Sequence, residues 1–174
     1  MLRSACSDCS IEKSWSATWQ SVADTCALTH RPGWGKDSYF VGAVLAAVAY
    51  WTTLSVASAG SSRTGAEAGL NVFLWIVLWQ PVFEELLFRG VLQGLLLEET
   101  GGRLFCRPFT LANLLASVAF ALAHLPAHPF LWTGGILVVS LTLGYLRDRL
   151  GSLYPPVLLH IYYNGGYFLL MGWS

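Results

Sequence analysis

Three ionisable residues, Glu84, Glu85 and Arg89, fall within six positions of one apolar stretch. On insertion scales each charged side chain at a bilayer centre costs about 2.5–3.5 kcal/mol, so three unpaired ones approach ~10 kcal/mol. They need partners or a water-filled cavity. Glu85 and Arg89 stand four residues apart, on one helical face and in the order that favours an acid–base pair. Glu84 lies ~100° around the helix from Glu85 and ~140° from Arg89, by the 3.6-residue period. One carboxylate is therefore expected to be neutralised by Arg89, and the other to be held nearby without a cation of its own.

Two other apolar stretches carry matching polar stripes. Asn113, Ser117, Phe120 and His124 follow a helical spacing, as do His160, Tyr163, Asn164 and Tyr167. The ensemble is two Glu, an Arg, two His and Asn, with no Ser or Cys placed as a nucleophile. A carboxylate beside a histidine can hold and deprotonate a water, while a second histidine and an amide can stabilise an oxyanion. That is equipment for hydrolysing an acyl bond. Bland readings stand beside this one. Glu85–Arg89 can equally be a folding lock, and a lone His on an apolar helix usually bonds a neighbouring backbone or Tyr. His128, beside Pro129, reads as an interfacial loop residue, Tyr163 and Tyr167 as ordinary aromatics, and Gly90-x3-Gly94 as a close helix-packing site. Six coordinated polar residues on three spans are nevertheless too costly for packing alone.

The elements that position them follow from composition. Of 174 residues, 55% are hydrophobic and 11% charged, against about 25% charged in soluble chains. Mean hydropathy is +0.53. A soluble enzyme, a disordered chain and a collagen-like fibre are excluded. Ten basic residues balance ten acidic ones, so no net field recruits nucleic acid. The expected fold is all-α, a polytopic helical membrane protein with about five transmembrane helices around a buried polar site. The candidate stretches run over 39–58, 70–97, 109–125, 130–146 and 153–171. The third and fourth, joined by residues 126–129, must form a tight hairpin, and Pro81 removes a backbone donor within the second and should kink it.

Residues 1–38 read as a polar tail ahead of a membrane core over 39–174, without the apolar core of a signal peptide. Cys6-x2-Cys9 followed by Cys26-x3-His30 has a spacing that zinc can use. The alternative is a mobile cytosolic tail with reduced, unconnected thiols.

Glu84-Glu85-x3-Arg89, Phe120-x3-His124 and His160-x3-Asn164 together resemble the three signature motifs of the CPBP family of intramembrane proteases. That family includes the CAAX-processing type II endopeptidases and bacterial bacteriocin-processing and immunity proteins. Pro81-Val82-Phe83 before the first motif and Gly151-Ser152-Leu153-Tyr154-Pro155-Pro156 before the third fit as well, and the resemblance covers residues 70–171. It implies a glutamate-type peptidase in which Glu84 is the general base and shares the attacking water with His124. His160 and Asn164 would form the oxyanion site, and Glu85 and Arg89 would orient and neutralise it. Glu with two His can ligate zinc, but the resemblance implies a metal-free site without a cofactor, and no His-Glu-x2-His motif is present. The implied partners are the bilayer and a membrane-embedded or membrane-anchored protein or peptide substrate. The implied location is a bacterial inner membrane. Compact size and the Cys-bearing tail also resemble the small sorting-system members of the JDVT-CTERM type.

Two functions compete. One is a non-catalytic immunity or substrate-binding protein on the same scaffold. The other is a small transporter or proton relay, since intramembrane Glu and His serve that role too, although transporters usually show paired repeats and none is visible. One tension remains in the motifs: counting along the helices sets His160 only ~10 Å from the cytoplasmic face, against ~20 Å for Glu84 and His124. A half-helix start, a dip near Pro155-Pro156 or shifted boundaries would each reconcile them.

Orientation follows from the loops. Arg3, Lys13, Arg31, Lys36, Arg103, Arg107, Arg147 and Arg149 fall on one side and Arg63 on the other, which places the N terminus in the cytoplasm and the C terminus outside. Reporter fusions at Ser174 and within residues 98–108 should therefore report opposite sides of the membrane. Fusions reporting the same side would refute the five-span count.

Overall fold

The computed structural model of the protein describes residues 20–57 and 69–171. Cys6 and Cys9, with Arg3, Lys13 and Arg63, lie outside the described residues. Helices occupy all five expected stretches: α1 (Ser38–Ala57), α2 (Leu70–Thr100), α3 (Leu111–His124), α4 (Phe130–Leu150) and α5 (Tyr154–Met171). α1, α2 and α4 are long and apolar enough to cross a membrane, whereas α3 is shorter. Polarity is inverted relative to a water-soluble protein. Leu45, Val56, Trp75, Trp79, Phe83, Leu87 and Val138 are exposed on the outside, while Glu85, Arg89, Gln93, Asn113, Ser117 and Ser140 are fully buried. An apolar solvent selects that arrangement.

α3 packs on α4 and on the second half of α2, and α5 packs on α1, α4 and the middle of α2. α2 winds through two π-helical turns, Trp75–Trp79 and Leu86–Leu92. The first precedes Pro81 and absorbs its missing donor. The Gln80 amide bonds the Trp75 carbonyl five residues back, so the carbonyl that Pro81 would have served in that register is Ile76. Asn164 Nδ2 donates to it at 3.1 Å.

Two expected boundaries are corrected. Phe109 and Thr110 are not helical: they form strand β2, paired antiparallel with β1 (Leu104–Cys106). The Thr110 hydroxyl then caps α3 by accepting the Asn113 amide at 3.0 Å. α4 runs past Leu146 to Leu150 and stops at Gly151, whose φ of 57° suits a residue without a Cβ. Arg147, expected in a cytoplasmic loop, is accordingly a buried residue of α4.

Residues 20–37 are not a free tail. They pack over the α4–α5 turn, where Leu153 N–H donates to the Ala27 carbonyl at 2.8 Å. Gly94 makes room for them, and Gly90 lies beside it. Cys26 lies against Gly90, and the Thr25 backbone against Gly94 leaves no space for a Cβ. The small-residue pair thus receives the N-terminal segment rather than another spanning helix. Ala27 adopts φ 53°, a left-handed conformation costing about 1–2 kcal/mol, and its side chain is buried in return. Ser152, Leu153, Pro155 and Pro156 are buried, so α5 begins inside the protein. His160 lies beside Glu85, 2.9 Å from it, so the two side chains sit at one level of the helix bundle.

Asp37 caps α1. Its Oδ1 accepts the Tyr39 and Phe40 amides at 3.0 and 3.3 Å, and its Oδ2 accepts Arg149 Nε at 3.0 Å. Desolvation pushes its pKa up, but Arg149 and the Phe40 and Tyr39 amides outweigh it, so the carboxyl sits below its ordinary value. A depressed folded pKa adds stability above the unfolded value of about 3.9, and that stability disappears as pH falls through the folded value. Asp37→Ala should cost about 1 kcal/mol at neutral pH. Detergent melting curves of parent and variant should converge in strong acid.

Candidate active site

Glu85 and Arg89 are fully buried where α2, α3, α4 and α5 meet, with Arg89 Nε 3.3 Å from Glu85 Oε2. Arg89 Nη2 donates to the Ser140 hydroxyl at 2.7 Å and to its carbonyl at 3.2 Å. The guanidinium carbon lies 4.4 Å over the Phe120 ring, a cation–π contact. That contact accounts for an aromatic residue one turn before His124. The other Glu85 oxygen is 2.9 Å from His160 Nδ1. His160 Nε2 in turn faces Glu84 Oε2 at 3.7 Å, and Glu84 Oε1 faces His124 Nε2 at 3.9 Å. A line of charge and imidazole thus runs from Arg89 through Glu85, His160 and Glu84 to His124.

Exposure changes along that line. The Glu84 and His124 side chains are 18% and 20% exposed and His160 8%, whereas Glu85 and Arg89 are sealed. The open end of the line is therefore the Glu84–His124 end. Hydrogen bonding orients it. His124 Nδ1 lies 2.8 Å from the Phe120 carbonyl; a carbonyl only accepts, so Nδ1 carries the proton and the Nε2 of a neutral ring presents its lone pair to Glu84. Two acceptors then converge across a gap longer than a hydrogen bond. A water can donate a proton to each of them. With Nδ1 donating to Glu85, His160 offers Nε2 to the site: as imidazole it accepts, and as imidazolium it donates to a developing oxyanion.

Glu84, Glu85, Arg89, His124 and His160 are all brought together. Asn164 sits one turn beyond His160 with one amide hydrogen committed to Ile76, leaving its second hydrogen and its oxygen. The remaining stripe residues divide. Asn113 donates to the Leu141 carbonyl and accepts from Ser117, bracing α3 on α4. Tyr163 donates to the Ala43 carbonyl of α1, and Tyr167 packs on Trp132. His128 is exposed and stacks on His124 at 6.2 Å between ring centroids. Gln80, one turn before Glu84 and outside the motifs, joins the site: its Nε2 donates to Glu84 Oε1 at 2.8 Å. Ser140, which holds Arg89, has no local sequence signal at all. Among the described residues no group of three His, Cys, Asp or Glu has the arrangement to hold a metal ion. Cys26 is a free thiol and His30 packs edge-on against Tyr154.

A family model described as type II CAAX prenyl endopeptidase Rce1-like matches residues 66–166. No curated protein and no solved structure matches the chain.

Removing one member of a buried ion pair strands the other, at about 3–5 kcal/mol. Glu85→Gln should therefore lower melting in detergent sharply, because the Ser140 oxygens and the Phe120 face are the neighbours left to Arg89. Glu85→Gln combined with Arg89→Gln should recover part of that loss. A double variant no more stable than the single one would refute the pair as the source of the effect.

Proposed function

Because the chain belongs to the type II CAAX prenyl endopeptidase Rce1-like family, we propose that it is an intramembrane endopeptidase hydrolysing a peptide bond in a membrane-associated or lipidated substrate. Glu84 and His124 activate the attacking water. One observation carries this reading: two acceptors, a Glu84 carboxylate oxygen and the His124 Nε2 lone pair, face each other 3.9 Å apart at the exposed end of an otherwise buried charge relay.

The reaction follows from that geometry. Gln80 holds one Glu84 oxygen, and Glu84 takes a proton from the water as its oxygen bonds to the scissile carbonyl carbon. The oxyanion receives hydrogen bonds from His160 Nε2–H and the uncommitted Asn164 amide hydrogen. Glu84 then returns the proton to the departing amine as the C–N bond breaks, leaving a carboxylic acid and an amine. His160 brings its Nε2 proton to the step and keeps it throughout, and Glu85, fixed by Arg89, balances the imidazolium. The chain lies in a bacterial inner membrane with its N terminus in the cytoplasm, where a peptide next to a lipidated or membrane-anchored C terminus can reach Glu84. A binding or immunity protein on this scaffold would hold such a peptide intact, and a transporter would leave it untouched.

Incubating the purified protein with candidate tail peptides and mapping products by mass spectrometry separates these readings. Glu84→Gln keeps shape and hydrogen bonding but removes the base, so turnover should fall by at least ~10²-fold, within the 10²–10⁴-fold range of general bases, with melting unchanged. Near-parent turnover in Glu84→Gln would end the glutamate mechanism.

A further inference from the structure

We infer that Arg147 is a positioning residue of the peptidase site and that residues 20–30 belong to the active unit, because Arg147 fastens the catalytic stretch of α2 to the N-terminal segment. The inference rests on the peptidase reading.

Arg147 is only 6% exposed, and each of its side-chain nitrogens donates. Nε bonds the Arg89 carbonyl at 3.1 Å, Nη2 the Thr25 carbonyl at 2.7 Å and Nη1 Asp148 Oδ1 at 3.3 Å. The first bond has a backbone cause. In the π turn Leu86–Leu92 the Gln93 amide reaches back to the Phe88 carbonyl, five residues away, and so does not serve Arg89, its partner in an α-helix. Arg147 supplies that bond from outside, on the residue whose side chain neutralises Glu85.

The second bond draws in residues 20–30. Thr25 lies against Gly94, and its hydroxyl donates to Glu98. Cys26 covers Gly90, and the Ala27 carbonyl accepts Leu153 N–H at 2.8 Å, at the start of α5. Three consecutive residues thus touch the helix carrying Glu84, Glu85 and Arg89 and the helix carrying His160. The 2.9 Å bond between His160 and Glu85 joins those two helices, and a displacement of ~1 Å at such a bond can cost ~10²-fold in rate. The segment lies outside the matched stretch 66–166, whereas Arg147, Gly90, Gly94 and Leu153, which receive it, lie inside.

The test uses the full chain and a peptide that the parent cleaves and Glu84→Gln does not. Absence of that difference would fail the peptidase reading itself, separately from this one. Arg147→Met removes every donor, Arg147→Lys keeps a cation with rotatable donors, and Gly94→Ala places a methyl where the Thr25 backbone lies. We expect kcat of Arg147→Met to fall ~10–100-fold with KM within ~3-fold, since alignment rather than substrate contact is lost. Arg147→Lys should fall between it and the parent. Gly94→Ala should also lower kcat, and combined with Arg147→Met it should be no slower than the worse single variant, because both sever one link. Arg147→Met with kcat within ~2-fold of the parent, or losses that multiply in the double variant, would overturn the inference. If Arg147→Met does not fold, Arg147→Lys decides: a lowered melting temperature with parental kcat would leave Arg147 a purely structural residue and overturn the proposal.

Discussion

A guanidinium sealed inside a membrane protein dictates most of this architecture. Arg89 cannot shed its charge, and in the interior its lost hydration must be replaced group by group. Glu85 balances the charge, the Ser140 hydroxyl and carbonyl take one nitrogen, and the Phe120 face covers the guanidinium plane. Those neighbours come from α2, α4 and α3, so holding one side chain brings three helices together, although its Nη1 has no hydrogen-bond partner among the described residues. α5 joins through the remaining Glu85 oxygen, which His160 occupies. A fold assembled around a single charge has little freedom to slide.

The same economy governs the backbone. Each π turn in α2 shifts the register of its hydrogen bonds and leaves a carbonyl without its usual donor, and such carbonyls rarely stay empty inside a protein. At Ile76 the donor is Asn164 of α5, and at Arg89 it is Arg147 of α4. Irregular winding thus becomes cross-linking, and both links fall within the stretch of α2 that carries Glu84 and Glu85. Straight α-helical winding would satisfy both carbonyls internally, apart from the one Pro81 leaves open, and would remove the reason for those bonds.

Legibility of the sequence followed the range of the interactions. The Glu85–Arg89 pair and the freedom of Glu84 were readable because helix periodicity alone relates residues four apart. The five helices were readable because apolar length is a local property. The level of His160 against Glu85 is not legible from counting along one helix, because the start of α5 is held by a contact to Ala27, more than a hundred positions earlier. Gly90 and Gly94 were recognised as a site of close approach, but two glycines do not specify what approaches. Arg147 was counted as a loop charge since nothing nearby signals that an open carbonyl awaits it. Stripe periodicity likewise groups Asn113 and Ser117 with the site; Asn113 instead braces α3 against α4 and Ser117 holds Asn113, because a stripe long enough to span the protein passes more than one neighbour.

Burial then separates two adjacent glutamates. Glu85 lies against the Arg89 guanidinium in a sealed environment. Glu84 has Gln80 and two imidazoles around it and an open edge. None of these contacts is an ion pair with a permanent charge, so taking up and releasing a proton there leaves the rest of the charge arrangement intact. The proposed hydrolysis requires that pairing of one carboxylate that holds its charge with another that cycles its proton. Adjacent positions on a helix provide it through the ~100° between them: one side chain turns into the protein, and the next turns toward the open edge.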